Sequence, residues 1–395
     1  MPTLIWDGKT KLLDFPEVSW NSWSKNLSLN RLLWGDNGAI LQALTKEFKG
    51  QVDLIYLDPP FCSDANYHQK MDIAGDLHQQ LAYSDNWTVD AFLQFIYERL
   101  LLLKPLLSPT GSIFLHCDSH QSHNIRAILD EVFGTQQFRN EIIWHYTGGG
   151  RAKKYFSKKH DSIFWYSKSK KWTFNIDAVR VPYKETSGYA KGGIRGKSGK
   201  LYLPNPKGTP IDDTWDIPII NPMSNERNGY PTQKPKILLD RIIQGCSNQN
   251  DIVLDPFLGS GTTAESAIQN KRRFIGIDSN INSIQCTRKR LLNAGILDFS
   301  LFSTQDIRNR RATIQLNAIT SSEDEWELSK YSLGECNNPP LQYILEQDKD
   351  GQERLNANQT LRLTKLSAFT LVFLDGSQAQ IQVPKVLSET LILSS

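Results

Sequence analysis

Asp58-Pro59-Pro60-Phe61 sets a carboxylate and backbone carbonyls beside an aromatic ring, directly after the apolar run Val52 to Leu57. Two consecutive prolines remove two backbone donors and stiffen the loop, so its acceptors have nothing local to pair with. Such an array suits an amine. The exocyclic amino group of a nucleobase can donate to the Asp58 carboxylate and to a carbonyl near Pro59, while Phe61 stacks on the ring, a contact worth roughly 1–3 kcal/mol in nucleic-acid platforms.

A second constellation lies two hundred residues further on, in Asp255-Pro256-Phe257-Leu258-Gly259-Ser260-Gly261-Thr262-Thr263. Gly259 and Gly261, between a strand-like run and a helix-like one, let the backbone turn tightly and bring helix-end amides close to a ligand. Asp278 ends the next apolar run, where an acid can accept from both hydroxyls of a ribose. Asp255 is placed for a cationic amino group. The third glycine of the dinucleotide fingerprint is absent, which disfavours a nicotinamide cofactor.

Short apolar runs ending in small or acidic residues, each followed by helical spacing, must position these residues; this is how a parallel sheet with crossover helices reads. The pattern predicts strand-like runs at Arg31–Asp36, Val52–Leu57, Ile252–Leu254 and Arg273–Ile277, the first closing on Gly35-Asp36 and the others followed by Asp58, Asp255 and Asp278. Further strands are expected at Ser112–Cys117, Glu141–Tyr146 and Ser162–Tyr166, and helices at about 39–48, 89–107, 121–133, 236–244, 264–270 and 285–292. Strand ends in a doubly wound sheet share one rim, so these acids should meet in one crevice whatever their chain order.

The 395 residues carry a net charge of only +3, but the charge is segregated. Thr147 to Lys207 holds fifteen Lys and Arg against three acids, whereas Ile319 to the end holds six against eleven. The middle segment suits a polyanion, most simply nucleic acid. Its candidate contacts are Arg151, Lys153, Lys154, Lys158, Lys159, Lys170 and Lys171, spaced by Tyr155, Phe156, Trp165, Tyr166 and Trp172. His116, Cys117, Asp118, His120 and His123 resemble a metal set, but they straddle a strand end and a helix start; His116 and Asp118 are expected at the rim, and no metal is assigned. The five cysteines form no CxxC pair.

Taken together, the motifs resemble the amino-methylating DNA methyltransferases that use S-adenosyl-L-methionine. Asp58-Pro59-Pro60-Phe61 matches the catalytic motif of that class, and the Asp255 to Thr263 segment its cofactor motif. The order, with catalytic motif first, target recognition in the middle and cofactor glycines last, is that of the family's β arrangement. The resemblance implies that Asp36 approaches the cofactor adenine and that Pro231 to Pro235, with Thr232 and Lys234, lines the methionine end; it adds Phe257 and Thr262 to that site. It spans about residues 30–293.

The fold class expected is α/β: a doubly wound Rossmann-like methyltransferase sheet with circularly permuted motif order, an inserted target-recognition region and a small, mainly β C-terminal appendage. The boundaries expected are 1–146 for the catalytic half, 147–229 for the basic region, 230–311 for the cofactor half and 312–395 for the appendage. Adenine is favoured by the aspartate that opens the catalytic motif; cytosine's exocyclic amine and a catalytically idle DNA-binding subunit stay open as alternatives. Carbon-5 methylation is disfavoured, because no Pro-Cys dipeptide occurs to present a nucleophile. Duplex DNA is the partner implied, with room for a homodimer and for a separate restriction subunit. No run reaches the roughly 18 apolar residues of a membrane span, and with no secretory pattern at its start the chain is expected in the cytoplasm.

Overall fold

The computed structural model describes side chains for residues 3–11, 15–20, 28–62, 87–148 and 150–304, and backbone alone for 21–22, 66–73, 76–84 and the strands between 312 and 393. In chain order the first half runs β1 (Asn21–Ser22), β2 (Arg31–Trp34), α1 (Asn37–Phe48), β3 (Val52–Leu57), β4 (Asn66–Ile73), β5 (Asp76–Ser84), α2 (Val89–Leu106), β6 (Leu107–Cys117), α3 (Ser122–Phe133) and β7 (Phe138–His145). The second continues with β8 (His160–Ser167), α4 (Gly188–Gly192), β9 (Ile194–Arg195), β10 (Leu201–Tyr202), β11 (Thr214–Asp216), α5 (Lys236–Cys246), β12 (Ile252–Asp255), α6 (Thr262–Gln269), β13 (Arg273–Asp278), α7 (Ile281–Asn293) and β14 (Ser300–Ser303).

Among the described residues ten strands form one sheet in the order β1-β14-β2-β13-β12-β3-β6-β8-β7-β11. The six from β14 to β6 are parallel, as crossover helices require; β8 runs against β6 and β7, and β1 against β14. Side-chain alternation along the inner strands feeds two cores. Leu33, Ile55 and Leu57 join Leu41 and Leu44 of α1, Ile96 and Leu100 of α2 and Ile128 of α3 on one face. Leu32, Leu54 and Tyr56 join Leu238 and Ile242 of α5, Ala264 of α6 and Ile284 of α7 on the other. This is the doubly wound α/β sheet that the sequence predicts.

Strand order reverses between β12 and β3. From β12 the chain crosses through α6 to β13, and from β3 it crosses through α2 to β6 on the opposite side. The carboxyl ends of these two adjacent strands therefore open a crevice where ligands of such sheets bind.

Two features differ from the sequence expectation. The basic segment is not wholly an insertion, because β8 is an inner strand buried from Asp161 to Ser167 and β11 pairs with β7 in the same sheet. Residue 147 falls in the loop between β7 and β8, so the expected region 147–229 contains two strands of the main sheet rather than standing apart from it. The strand pair β4–β5 is absent from the expected elements; its polar composition lacks a clean apolar alternation. Between Ala312 and Leu393 the backbone forms strands in two four-stranded antiparallel sheets, with side chains outside the described residues.

Candidate active site

Each motif is delivered to the rim by a local device. Asp36 lies two residues past β2 and caps α1, its carboxylate accepting from the Ala39 amide at 2.9 Å. Gly261 opens α6 in the left-handed region at φ 77°, and a Cβ there would meet the Thr287 hydroxyl at 2.5 Å. Only glycine makes that turn without strain. Cys62 follows the catalytic motif at φ 56° and its thiol donates to the Trp87 carbonyl at 3.4 Å.

These ends enclose a cavity of about 320 Å³. Asp58, Pro59, Pro60 and Phe61 form one wall; Asp36, Thr232, Lys234, Asp255, Phe257, Gly259, Thr262 and Asp278 line the rest. Gly261 is not part of the lining and acts through the turn. The volume suits a small organic ligand, which commonly occupies about 300–1,000 Å³. Trp87, Phe95 and Phe257 add an aromatic side, with centroids 4.9 Å apart for the first pair and 5.8 Å for the second.

The carboxylates are not equivalent. Asp255 is buried and accepts from the Phe257 amide at 2.9 Å and the Thr263 hydroxyl at 2.6 Å. Burial pushes its pKa up to about 7 despite those hydrogen bonds, with the charges of Asp58 and Asp278 adding to the rise. Asp278 accepts from the amides of Gly259 and Asn280 at 2.9 and 2.8 Å, and burial lifts it to about 6. Both acids assigned to the cofactor thus also brace the glycine turn and its neighbour.

Asp58 is held differently. Its Oδ2 pairs with the Lys234 ammonium, joining the catalytic loop to the Thr232–Lys234 segment 176 residues away. The resemblance assigns Lys234 to the cofactor, whereas here its charge is committed to Asp58. The Asp58 Oδ1 is buried with no hydrogen-bond partner. A buried acceptor left open is costly unless a ligand completes it. One donor aimed into the cavity, such as an amine hydrogen, would do so.

His116 departs from the expected rim position: it is fully buried behind Asp58. The Leu57↔Leu115 pairing of β3 with β6 places it beside Asp58, and the His116↔Ile163 pairing of β6 with β8 puts Asp161 diagonally across. Its Nδ1 lies 2.9 Å from the Tyr56 hydroxyl and 3.7 Å from Asp58 Oδ1, and its Nε2 lies 3.1 Å from Asp161 Oδ2. The Tyr146 hydroxyl donates to Asp161 Oδ1 at 3.1 Å. Tyr56, Tyr146 and Asp161 are not among the sequence candidates. Period-two alternation marks Tyr56 as sharing a face with Asp58, but Asp161 needed the β6–β8 pairing. Asp118 does sit just past β6, accepting from the backbone and ring of His120.

The candidate nucleic-acid residues divide into two groups. Arg151, Lys153, Lys154 and Lys158 are exposed in the loop between β7 and β8, on the same rim as the cavity. Lys159, in the same loop, donates to the Gly148 and Gly150 carbonyls; Gly149 lies outside the described residues. Lys170 and Lys171 follow the far end of β8, separated by its length, roughly 25 Å at about 3.3 Å per residue. Antiparallel pairing places them at the opposite edge, so they do not belong to the loop's surface. The aromatic spacers divide as well: Trp165 and Tyr166 are core, while Tyr155 and Phe156 stand 70% and 98% exposed.

The family model described as a DNA methylase, for N6 and N4 methylation, matches residues 52–289. The type II methyltransferase M.HpaI of Haemophilus parainfluenzae is 31% identical over 278 residues, covering 70% of this chain and 78% of its own length. The DNA adenine methyltransferase YhdJ of Escherichia coli strain K12 is 32% identical over 262 residues, 66% of this chain and 82% of its own. The crystal structure of the M1.HpyAVI–SAM complex aligns over 66% of this chain and 98% of that one, with 24% identity and a TM-score of 0.44.

Proposed function

The chain belongs to the N6/N4 DNA methylase family, and on that premise we propose that it methylates the exocyclic amine of adenine in duplex DNA with S-adenosyl-L-methionine as donor. The observation that carries the reading is the Asp58 carboxylate, which keeps one oxygen without a hydrogen-bond partner, in the lining of a cavity whose other walls hold Asp36, Asp255 and Asp278. Adenine is chosen over cytosine on the aspartate that opens the catalytic motif and on the adenine-methylating relative.

The residues present fit the donor. It supplies an electrophilic methyl on a sulfonium, and cationic groups suit a cavity lined by carboxylates. Asp255 would hold the amino group, Asp278 the ribose and Asp36 the adenine end, with Phe257 and the Gly259 turn lining the same cavity and Thr232 and Thr262 at the methionine end. Asp58 and a carbonyl of Pro59 or Pro60 take the two amine hydrogens and point the nitrogen lone pair at the methyl, while Phe61 stacks on the base. Alignment and stabilisation of charge on the amine supply the rate.

A base inside a duplex cannot reach this cavity, so the adenine is turned out of the stack at a cost of a few kcal/mol. The β7–β8 loop holds the DNA: Arg151, Lys153, Lys154 and Lys158 meet phosphates, and Tyr155 and Phe156 meet unstacked bases. Among the described residues, no helix is long and apolar enough to cross a membrane.

Incubation with methyl-labelled S-adenosyl-L-methionine and unmethylated duplex DNA, followed by digestion to nucleosides and mass spectrometry, tests the whole reading. Labelled N6-methyladenine is the expected product. Labelled N4-methylcytosine would correct the base, and no labelled nucleoside across varied duplexes would overturn the function.

A further inference from the structure

The segment ahead of α5 is held from several sides. Pro235 is the N-cap of that helix, and its ring disfavours helical dihedrals at Lys234, so the chain reaches α5 without winding up early. Gln233 binds the preceding loop, donating to the Glu226 carbonyl at 2.7 Å and accepting from the Asn228 amide at 2.9 Å. Its neighbours Thr232 and Lys234 line the cavity. The backbone and side chain of Lys234 then serve different walls. Its carbonyl accepts from the Thr262 hydroxyl at 3.3 Å, beside the glycine turn, and that hydroxyl also accepts from the buried Arg290 guanidinium. Its ammonium reaches the catalytic loop, where it pairs with Asp58 Oδ2, stands 3.5 Å from the Thr232 carbonyl and lies 5.4 Å from the centroid of the Phe61 ring. The two paired side chains are only 12% and 17% exposed, so water and salt screen them far less than a surface ion pair.

Resting on the methyl-transfer reading, we propose that Lys234 is a positioning residue for Asp58 and not a holder of the donor's carboxylate. The ammonium fixes Oδ2 and with it the plane of the carboxylate. Oδ1, the oxygen without a hydrogen-bond partner, is then the one presented to the target amine. A carboxylate tethered at one oxygen has already lost the rotation that exchanges its two oxygens, so aligning the amine on it costs less order. The tether also spans the cavity. Through its carbonyl bond to Thr262, the residue that clamps the catalytic carboxylate is fastened to the turn on the donor's side. Lys234 thereby keeps the two halves of the reaction in register, which explains why a residue 176 positions from Asp58 spends its charge there.

The test uses the full chain and Lys234→Met, which keeps an unbranched stem and removes the charge. Single-turnover transfer at saturating labelled donor and duplex DNA should slow by roughly tenfold to a hundredfold, while calorimetry finds S-adenosylhomocysteine binding unchanged. Lys234→Arg, which keeps the charge, should recover part of the rate. A binding cycle reads the assignment without turnover. An ammonium that held the donor's carboxylate would make decarboxylated S-adenosylhomocysteine weaker than its parent in the wild type but not in Lys234→Met; the proposal expects the same loss of affinity in both. Melting temperatures of Asp58→Asn, Lys234→Met and the double variant should be non-additive, the double costing less than the sum, which reports the pair even where transfer is too slow to follow. A wild-type rate in Lys234→Met, additive melting shifts, or a carboxylate effect confined to the wild type would overturn the proposal. Failure of the wild type to methylate any duplex would instead overturn the reading beneath it, and the binding and melting cycles would still decide the pair.

Discussion

At the ends of β12 and β13, Asp255 and Asp278 spend oxygens on the chain's own amides and on Thr263, whereas Asp58, just past the end of β3, keeps one oxygen without a hydrogen-bond partner. All three sit on one cavity and all come from acid-ending strands. The difference lies in the residues just past each strand. After β12 and β13 come turns whose amides point back at the carboxylate; after β3 come two prolines, which have no amide to offer. A carboxylate satisfied by its own turn shapes a pocket, and one that cannot be satisfied locally waits for a substrate donor. The prolines therefore define the catalytic side chemically as well as stiffening it.

The strongest way to break this division is Asp58→Ala, which should cut methyl transfer by roughly 10³-fold while leaving donor binding largely intact, as calorimetry and single-turnover rates would show. Asp255→Asn should do the reverse, weakening donor binding more than the chemical step at saturating donor. Equal losses in the chemical step for both would erase the contrast.

Next in size is the glycine turn. Gly261→Ala forces a side chain into a left-handed backbone and against Thr287, and should cost about 1–3 kcal/mol of stability, visible as a lowered melting temperature. Gly50→Ala, also at positive φ but with open space around it, should cost less.

The burial of Asp255 and Asp278 has a pH signature. Their folded pKa values, about 7 and about 6, lie above the ordinary carboxyl range, so the folded chain binds these protons more tightly than the unfolded one. Their contribution to stability is complete below the unfolded value near pH 4 and is lost as pH rises through about 6 and then about 7. Melting temperatures of the ligand-free protein between pH 5 and 8 should flatten in Asp255→Asn relative to wild type, and an unchanged slope would remove burial as the explanation. The smallest effect separates the two ends of the basic segment. Replacing Lys153, Lys154 and Lys158 by Ala should lower the salt dependence of DNA binding by roughly one unit of slope each, and replacing Lys170 and Lys171 should leave it unchanged.

Much of the layout was legible because it is local. β3 and β12 show as apolar runs, α1 and α5 as helical spacing, and the acids at strand ends as interruptions of those runs. Gly261 was legible for the same reason, since a left-handed turn demands glycine wherever the rest of the chain lies. The β4–β5 pair was not legible, because its polar residues carry too little alternation. Nor was the inner place of β8: Ser162–Tyr166 reads as a strand, but nothing local says that it pairs with β6.

Residue type and spacing along the chain thus determined the motifs, the turn chemistry and the family to which the protein belongs. The tertiary structure alone decided how those parts meet: Lys234 on Asp58, His116 buried behind it, and Asp161 brought to His116 through β8. It also parted Lys170 and Lys171 from the loop lysines that composition groups with them. The physical reason is that turns and helix starts are set by a few neighbouring dihedrals, whereas burial and hydrogen-bond partners in a sheet are set by strand pairing between segments far apart in the chain.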